Sequence, residues 1–346
     1  MDEFKIILAG CGLISVKWLD HIAKRRDCEI LAIVEKDIGR AEAAKAKYGL
    51  ECGIYGSLEE ALQARQANIV IDLTYVTVHH DIVTTALRAG CDVLGEKPMA
   101  FSIDEANDML RVVDETGKRY IVMQNRRYID QVVKIHDLVQ SGVLGAPVMI
   151  CGEIFVPADL ASIRNKLPYP QLQDNNIHIF DHARYMAGGY PKSAYYKSFN
   201  PKGSKYAGDA AGVGIFEFDN GAVFNFRGYN GAEGMFTTWD HSWRLVCEKG
   251  TIIWDGAGDA CYEVTRQTGT YQYERGVIKK PETVVDQHDL ALADIFDALK
   301  TGRVPSTDCK DNMHSIAMVF ACLRSIQEGR KVDIRVQNAF PYITIS

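Results

Sequence analysis

The sequence predicts an α/β protein of two domains, and three observations carry that expectation. Strands alternate with helices over about the first 120 residues, the pattern of a doubly wound parallel sheet. A Gly-x-Gly turn, Gly10-Cys11-Gly12, stands between the first strand and the first helix. Beyond that third of the chain come longer alternating strands joined by tight turns, which predict an α+β domain with an open, mainly antiparallel sheet. The boundary is expected between residues 123 and 124, giving domains over 1–123 and 124–346.

The first domain follows from its punctuation. Phe4 to Ala9 is an unbroken apolar run that reads as a buried strand, and Ile14, Trp18 and Ile22 follow at helical spacing. Between them Gly10, Gly12 and Ser15 match Gly-x-Gly-x-x-Gly with serine in the third place. Two glycines let a backbone approach a pyrophosphate, and the amides of Leu13 and Ile14 open the helix whose dipole favours an anion. Serine there should only widen the helix–strand contact slightly.

A second strand, Glu29 to Val34, ends at Glu35, where an acidic residue can hold the hydroxyls of an adenosine ribose. A carboxylate repels a 2′-phosphate, so NAD is favoured over NADP, although Lys36 beside it tempers that preference. The plain alternative for Glu35 is a solvated strand end. Helices are expected over Ile38 to Tyr48 and Ser57 to Ala64, then a strand over Ile69 to Leu73. The segment Thr74 to His79 reads as a break, followed by a helix from Ile82 to Ala89.

Val93 and Leu94 form the next strand, and Gly95-Glu96-Lys97-Pro98 interrupts it. Proline denies Lys97 an easy helical conformation, so this lysine should be held extended at the strand's carboxyl end. Ser102 and Glu105 then cap a helix carrying Ile103, Ala106, Leu110 and Val113. Ligands of open parallel sheets sit outside the carboxyl ends of the strands. Lys97 is therefore a candidate for chemistry, where a Glu-Lys pair alone would read as a solvated surface. Tyr120 to Met123 closes the sheet.

The second domain opens with a helix over Gln131 to Val139 and a strand over Val148 to Phe155. Asp219-Asn220-Gly221 joins two strands as a hairpin, since Asn-Gly is a strong turn signal, and Gly250 marks a second hairpin. Two late helices bury Leu292, Ile295, Phe296 and Leu299, then Ile316, Val319, Phe320 and Leu323. A parallel domain followed by an antiparallel one should leave a cleft that Lys97 faces.

Within the second domain lies Asp174-Asn175-Asn176-Ile177-His178-Ile179-Phe180-Asp181-His182. On a helix Asp174, His178 and His182 share one stripe. Three readings compete: a metal site, a half-buried polar helix, and acid–base chemistry in which a carboxylate four residues earlier orients a histidine. No second paired-ligand segment accompanies the stripe, so no metal is expected.

Bulk composition narrows the function. With 47% hydrophobic and 24% charged residues the chain is an ordinary globular one. A net charge of −6 with no basic block points away from nucleic acid and from anionic membranes. No apolar run is long enough to span a bilayer, and Met1-Asp2-Glu3 leads straight into a strand without a signal peptide. Nine scattered cysteines, never spaced Cys-x-x-Cys, fit reduced thiols in the cytoplasm.

Taken together, the chain resembles the glucose–fructose oxidoreductase / inositol dehydrogenase / rhizopine-catabolism (Gfo/Idh/MocA) family. The matching pieces are Gly10-Cys11-Gly12, Glu35, Thr74 to His79, Glu96-Lys97-Pro98, Asn125-Arg126-Arg127, Asp174 with His178, and Asp219-Asn220-Gly221. They are collinear and span essentially the whole chain. The resemblance implies a Rossmann domain that binds NAD, with Gly10, Gly12, Leu13, Ile14, Glu35, Lys36, Thr74, Tyr75, His79, Glu96, Lys97 and Asn125 around the cofactor. It also implies that Lys97 and His178 face each other across the nicotinamide with Asp174 beside them. Three departures stand out: tyrosine at 75 where the family usually has proline, Leu167 to Gln173 where it often has glycines, and Ser15.

The function that follows is an NAD-dependent dehydrogenase or reductase acting on a ring hydroxyl or ketone of a sugar, cyclitol or glycoside. Two alternatives remain open from sequence: a glycosidase that uses NAD transiently without net oxidation, and a non-catalytic NAD-binding regulator. The apolar face of an open sheet rarely stays wet, so a homodimer or homotetramer through the second sheet is expected.

Overall fold

Six short strands and five helices alternate in the first part of the chain. The strands are β1 (Phe4–Ala9), β2 (Cys28–Val34), β3 (Gly53–Tyr55), β4 (Ile69–Asp72), β5 (Asp92–Gly95) and β6 (Tyr120–Val122). Between them run α1 (Leu13–Ile22), α2 (Ile38–Tyr48), α3 (Leu58–Ala64), α4 (Val76–Arg88) and α5 (Ile103–Thr116). The computed structural model describes residues 4–159, 166–267, 269–336 and 342–346; the lead-in Met1-Asp2-Glu3 lies outside them.

All pairings in this sheet are parallel, in the order β3-β2-β1-β4-β5-β6. The order reverses between β1 and β4, so the two chains leaving their carboxyl ends part and open a crevice. Ile6, Ile7, Leu8 and Ala9 of β1 and Ile69 to Ile71 of β4 are buried on both faces, as a parallel sheet requires. Side chains cap the helices where expected: the Ser102 hydroxyl accepts from the Glu105 amide at 3.1 Å, and Glu105 returns a bond to the Phe101 amide at 3.0 Å.

One helix differs from the reading. α4 begins at Val76, six residues before the expected Ile82. Val76, Thr77 and Val78 suggested a break, but β-branching lowers helix propensity only slightly. Burial of His79 inside the first turns decides the matter.

The second sheet belongs to another compact unit, Arg126–Val284 with His314–Ala339 and Ile343–Ser346. Its elements are α6 (Asp130–Gln140), β7 (Pro147–Val156), α7 (Asn176–Ala187), β8 (Pro191–Phe199), β9 (Ala211–Phe218), β10 (Val223–Asn230), β11 (Ser242–Cys247), β12 (Gly250–Trp254), β13 (Ala260–Thr265) and β14 (Tyr273–Ile278). Helices α8 (Gln287–Thr301) and α9 (Cys309–Glu328) and strands β15 (Val332–Val336) and β16 (Ile343–Ile345) complete the chain. The sheet order is β14-β13-β12-β11-β7-β10-β9-β8-β15-β16, antiparallel except for β7 beside β10. Both predicted hairpins are present, β9–β10 across Asn220-Gly221 and β11–β12 across Gly250.

One face of this sheet is packed and the other open. Phe216, Phe224 and Phe226 pack tilted or edge-on against Phe180 of α7 with ring centroids 4.8, 6.2 and 5.4 Å away. On the opposite face Tyr195, Ile215, Ile253 and Val277 are exposed. The pairing register carries one row through them: Tyr195, Ile215, Asn225, Cys151, Arg244, Ile253, Cys261, Val277.

The chain returns to the first unit over Val285–Met313. There Phe296 of α8 lies 4.8 Å from the Phe4 ring, Arg119 donates to the Ala298 carbonyl at 2.8 Å, and Val122 donates to the Thr307 carbonyl at 3.0 Å.

Candidate active site

The crevice of the first unit is shaped by backbone. Gly10 has φ +93°, and a Cβ there would sit 2.8 Å from the Leu73 carbonyl oxygen, so only glycine lets the ends of β1 and β4 run this close. Gly12 is the N-cap of α1, and a Cβ there would meet nothing within 4 Å. That open space lies before helix amides that have no intrahelical acceptor, which suits a pyrophosphate. Leu13, at the first helical position, is 96% exposed. Ser15 does not act as a wedge: it is buried and its hydroxyl donates to the Gly12 carbonyl at 2.6 Å, tightening the turn.

Glu35 leaves β2 and folds back to this turn. One carboxylate oxygen accepts the Cys11 amide at 2.9 Å and the other the Asp37 amide at 3.0 Å. The carboxylate is thereby fixed beside the glycine turn as an acceptor for hydroxyls. Burial, with help from Glu35, pushes the Cys11 thiol up to about 11, so it is a neutral packing group. Lys36 is exposed.

Beyond β4 the buried Asp72 accepts from the Thr74 amide at 3.0 Å and from its hydroxyl at 2.5 Å, folding the loop into a fixed shape. Tyr75 caps α4 and is 72% exposed, at the carboxyl edge. His79 is buried, with Nε2 3.1 Å from the Thr74 carbonyl and Nδ1 3.1 Å from the Pro98 carbonyl. It braces the loop after β4 against the loop after β5.

Lys97 sits in that second loop, followed by a cis peptide to Pro98. Its amide donates to Glu96 Oε2 at 2.7 Å, and Glu96 Oε1 accepts from the Trp18 indole at 2.8 Å. Burial raises the Glu96 carboxyl, and Lys97 and the Trp18 donor counter part of that rise. Glu96 is thus the anchor of the turn that holds Lys97. Asn125 lies buried past β6, its Nδ2 3.0 Å from His288 Nε2.

In the second unit, Asp174 and His178 do not share one regular helix. Residues Gln171–Asn175 form a π-helical turn that passes into α7 at Asn176. A π turn carries more residues per revolution than an α turn, so the expected stripe is rotated at its start; such turns recur at functional sites. His182 is fully buried, its Nε2 bonded to the Arg126 carbonyl at 3.0 Å, and burial lowers it to about 4. It is a neutral core histidine.

The next residue pair explains the Asn125-Arg126-Arg127 segment. Arg127 and Asp181 form a buried two-point ion pair, and the Ser315 hydroxyl adds a bond to Asp181 at 2.6 Å. Burial would raise the Asp181 carboxyl, but Arg127, Arg184 and Ser315 hold it below the usual range. Arg126 donates to the Trp239 carbonyl and lies 3.6 Å from Asp240. Burial lowers Arg126, and the charges of Asp240 and Asp174 oppose that.

A hollow opens beside Asp174, lined by Asp159, Asn175, Tyr206, Asn230 and Trp239 among others. Two carboxylates, two amides, a phenol and an indole suit a polyhydroxylated ring, whose hydroxyls both donate and accept. Sequence reading found Asp174 alone of these, because the rest come from separate segments with no shared spacing. From sequence Trp18 is only one of three residues at helical spacing, since nothing in a sequence shows where an indole N–H points.

Residues 4–124 match the Gfo/Idh/MocA oxidoreductase family with an NAD-binding Rossmann fold, and residues 136–334 match its C-terminal α/β domain. The chain is 23% identical to the inositol 2-dehydrogenase of Salmonella typhimurium, over 93% of this chain and 94% of that one. It is 24% identical to the D-apiose dehydrogenase of Paraburkholderia graminis, over 98% and 92%. Among solved structures, an oxidoreductase from Agrobacterium radiobacter in complex with NAD+, L-tartaric acid and magnesium superposes with a TM-score of 0.82 at 23% identity, over 96% and 98%. The chain belongs to the Gfo/Idh/MocA oxidoreductase family.

Proposed function

We propose that this protein transfers a hydride between the nicotinamide of NAD and a ring hydroxyl or ketone of a sugar, cyclitol or glycoside. The observation that carries the reading is the clamp on Lys97: a buried glutamate and an indole hold one lysine at the carboxyl end of β5, in a sheet whose glycine turn suits a dinucleotide. The kinship with an inositol 2-dehydrogenase and a D-apiose dehydrogenase supports the substrate class.

When bound, NAD supplies the hydride acceptor. Oxidation removes a hydride from the carbinol carbon and a proton from its oxygen, leaving a carbonyl. Lys97 donates a hydrogen bond to that oxygen and stabilises its developing charge, His178 accepts the proton, and Asp174 orients His178 or holds a neighbouring hydroxyl. Gly10, Gly12, Leu13 and Ile14 receive the pyrophosphate, and Glu35 the adenosine ribose, with exposed Lys36 at its edge. Thr74, Tyr75 and Asn125 would line the nicotinamide half, while His79 and Glu96 hold the loops that carry Thr74 and Lys97. The hollow beside Asp174 takes the polyol, with Trp239 offering a ring face.

The exposed row from Tyr195 to Val277 favours burial against a second copy, as a homodimer or homotetramer. Nine free cysteines fit the reducing cytoplasm. Among the described residues no helix is long and apolar enough to cross a membrane.

The test is a panel of cyclitols, aldoses and glycosides incubated with NAD+ and followed at the nicotinamide absorbance. NADH accumulation with at least one neutral polyol is expected. Product release without any lasting NADH would indicate hydrolysis, and no NAD+ binding at all would remove the reading.

A further inference from the structure

Behind Asn125 the returning chain assembles a group that the proposed chemistry does not use directly. His288 stands in the first turn of α8, 8% exposed, with its Nδ1 2.7 Å from Asp286 Oδ1. Asp286 is the N-cap of that helix and also accepts the His288 amide at 2.8 Å. A neutral imidazole carries one N–H, and a carboxylate can only accept, so the proton sits on Nδ1 and Nε2 presents a lone pair. That lone pair faces Asn125 Nδ2 at 3.0 Å. The carboxamide is therefore fixed one way round, with its NH2 on His288 and its oxygen turned away.

Neighbours hold the ring in place. Trp18 meets it edge-on at 4.7 Å and 82°, while the same indole N–H is engaged with Glu96. The His21 ring lies nearly parallel to it, 5.8 Å away at 7°, with its own Nδ1 2.6 Å from Asp289 Oδ1. His21, Asp286 and His288 bring ligand-type atoms within 4.8 Å of one another. Both ring nitrogens of His288 are already committed to Asp286 and Asn125, so hydrogen bonding accounts for the group without a cation.

We propose that His288 is a positioning residue for the cofactor: through Nε2 it orients the Asn125 carboxamide so that Oδ1 is offered as an acceptor to a ribose hydroxyl. The inference rests on Asn125 being a cofactor contact. The reverse orientation would present an N–H there, which competes with the hydroxyl as a donor.

The experiment measures NAD+ dissociation constants by calorimetry for the full chain and for H288L, H288Q, N125A and the H288L/N125A double variant, with melting temperatures alongside. Losing one buried acceptor should weaken NAD+ about tenfold in H288L. Glutamine can place an oxygen where Nε2 was, so H288Q should stay within about threefold of wild type. The double variant should bind no more weakly than N125A, because the two residues act as one unit. Unchanged affinity in H288L would overturn the proposal. Equal losses in H288L and H288Q, tracking a fall in melting temperature, would also overturn it and leave His288 as packing. Wild-type protein that binds no NAD+ would instead remove the underlying functional reading.

Discussion

The two units arrange their clustered polar groups by opposite means. At the edge of the parallel sheet the presenting atoms are largely backbone, and buried carboxylates such as Glu96 and Asp72 serve to fix loops. Beside Asp174 the presenting atoms are side chains, supplied by a π turn, one strand end and three loops. The first arrangement constrains residue type through geometry; the second tolerates many combinations. Cofactor recognition should therefore be robust and substrate choice malleable.

The largest expected effect probes the frame of the second unit. Arg127→Leu leaves Asp181 charged and buried with its main partner gone, which should cost about 3–5 kcal/mol in denaturant unfolding. A loss under about 1 kcal/mol would show that Arg184 and Ser315 suffice. The companion change in the first unit, Glu96→Gln, should cost about 1–3 kcal/mol, since one amide oxygen can accept from Trp18 or from the Lys97 amide but not both.

Acid sensitivity should also distinguish the units. His182 is lowered from 6.5 to about 4 by burial, so between those values the unfolded chain binds a proton that the native state excludes. Its contribution to stability is whole above pH 6.5 and falls as pH drops toward 4, by on the order of 3 kcal/mol in all. His182→Gln keeps a donor for the Arg126 carbonyl and does not titrate, so unfolding of that variant should show a shallower pH slope. An unchanged slope would assign the acid lability elsewhere, with His241, also held low by burial, next in line.

Turnover sharpens the division of labour. Lys97→Ala and His178→Ala should each lower the rate about a hundredfold or more. His178→Ala should leave NAD+ affinity nearly unchanged, because His178 belongs to the second unit. A smaller effect is expected at Glu35. Glu35→Ala should weaken NAD+ about tenfold while NADP+ changes little, narrowing the gap between them. Equal affinities in wild type would contradict the role given to Glu35.

These contrasts also explain what could be read from the sequence. Gly10 was legible because its φ of +93° and the Leu73 carbonyl leave no room for another residue. The place of Lys97 just beyond β5 was legible because Pro98 and the end of an apolar strand mark it. The start of α4 was not, since three β-branched residues masked a helix that the burial of His79 stabilises. β13 and β14 escaped because they are half exposed and pair partly through charges such as Glu263 and Arg275, without apolar alternation. The His288 contact escaped for a different reason: it joins residues 163 positions apart, and no local pattern records such a pairing.

Hydride transfer itself is the most direct test. A polyol that scores in the panel, prepared with deuterium on the carbinol carbon, is incubated with NAD+ and either wild-type protein or Lys97→Ala, and the nucleotide is analysed by mass spectrometry. Deuterium should appear in NADH at the rate of substrate consumption with wild type and about a hundredfold more slowly with the variant. Substrate consumption with the label retained in product and none passing to the nucleotide, or equal transfer by the two proteins, would contradict the account.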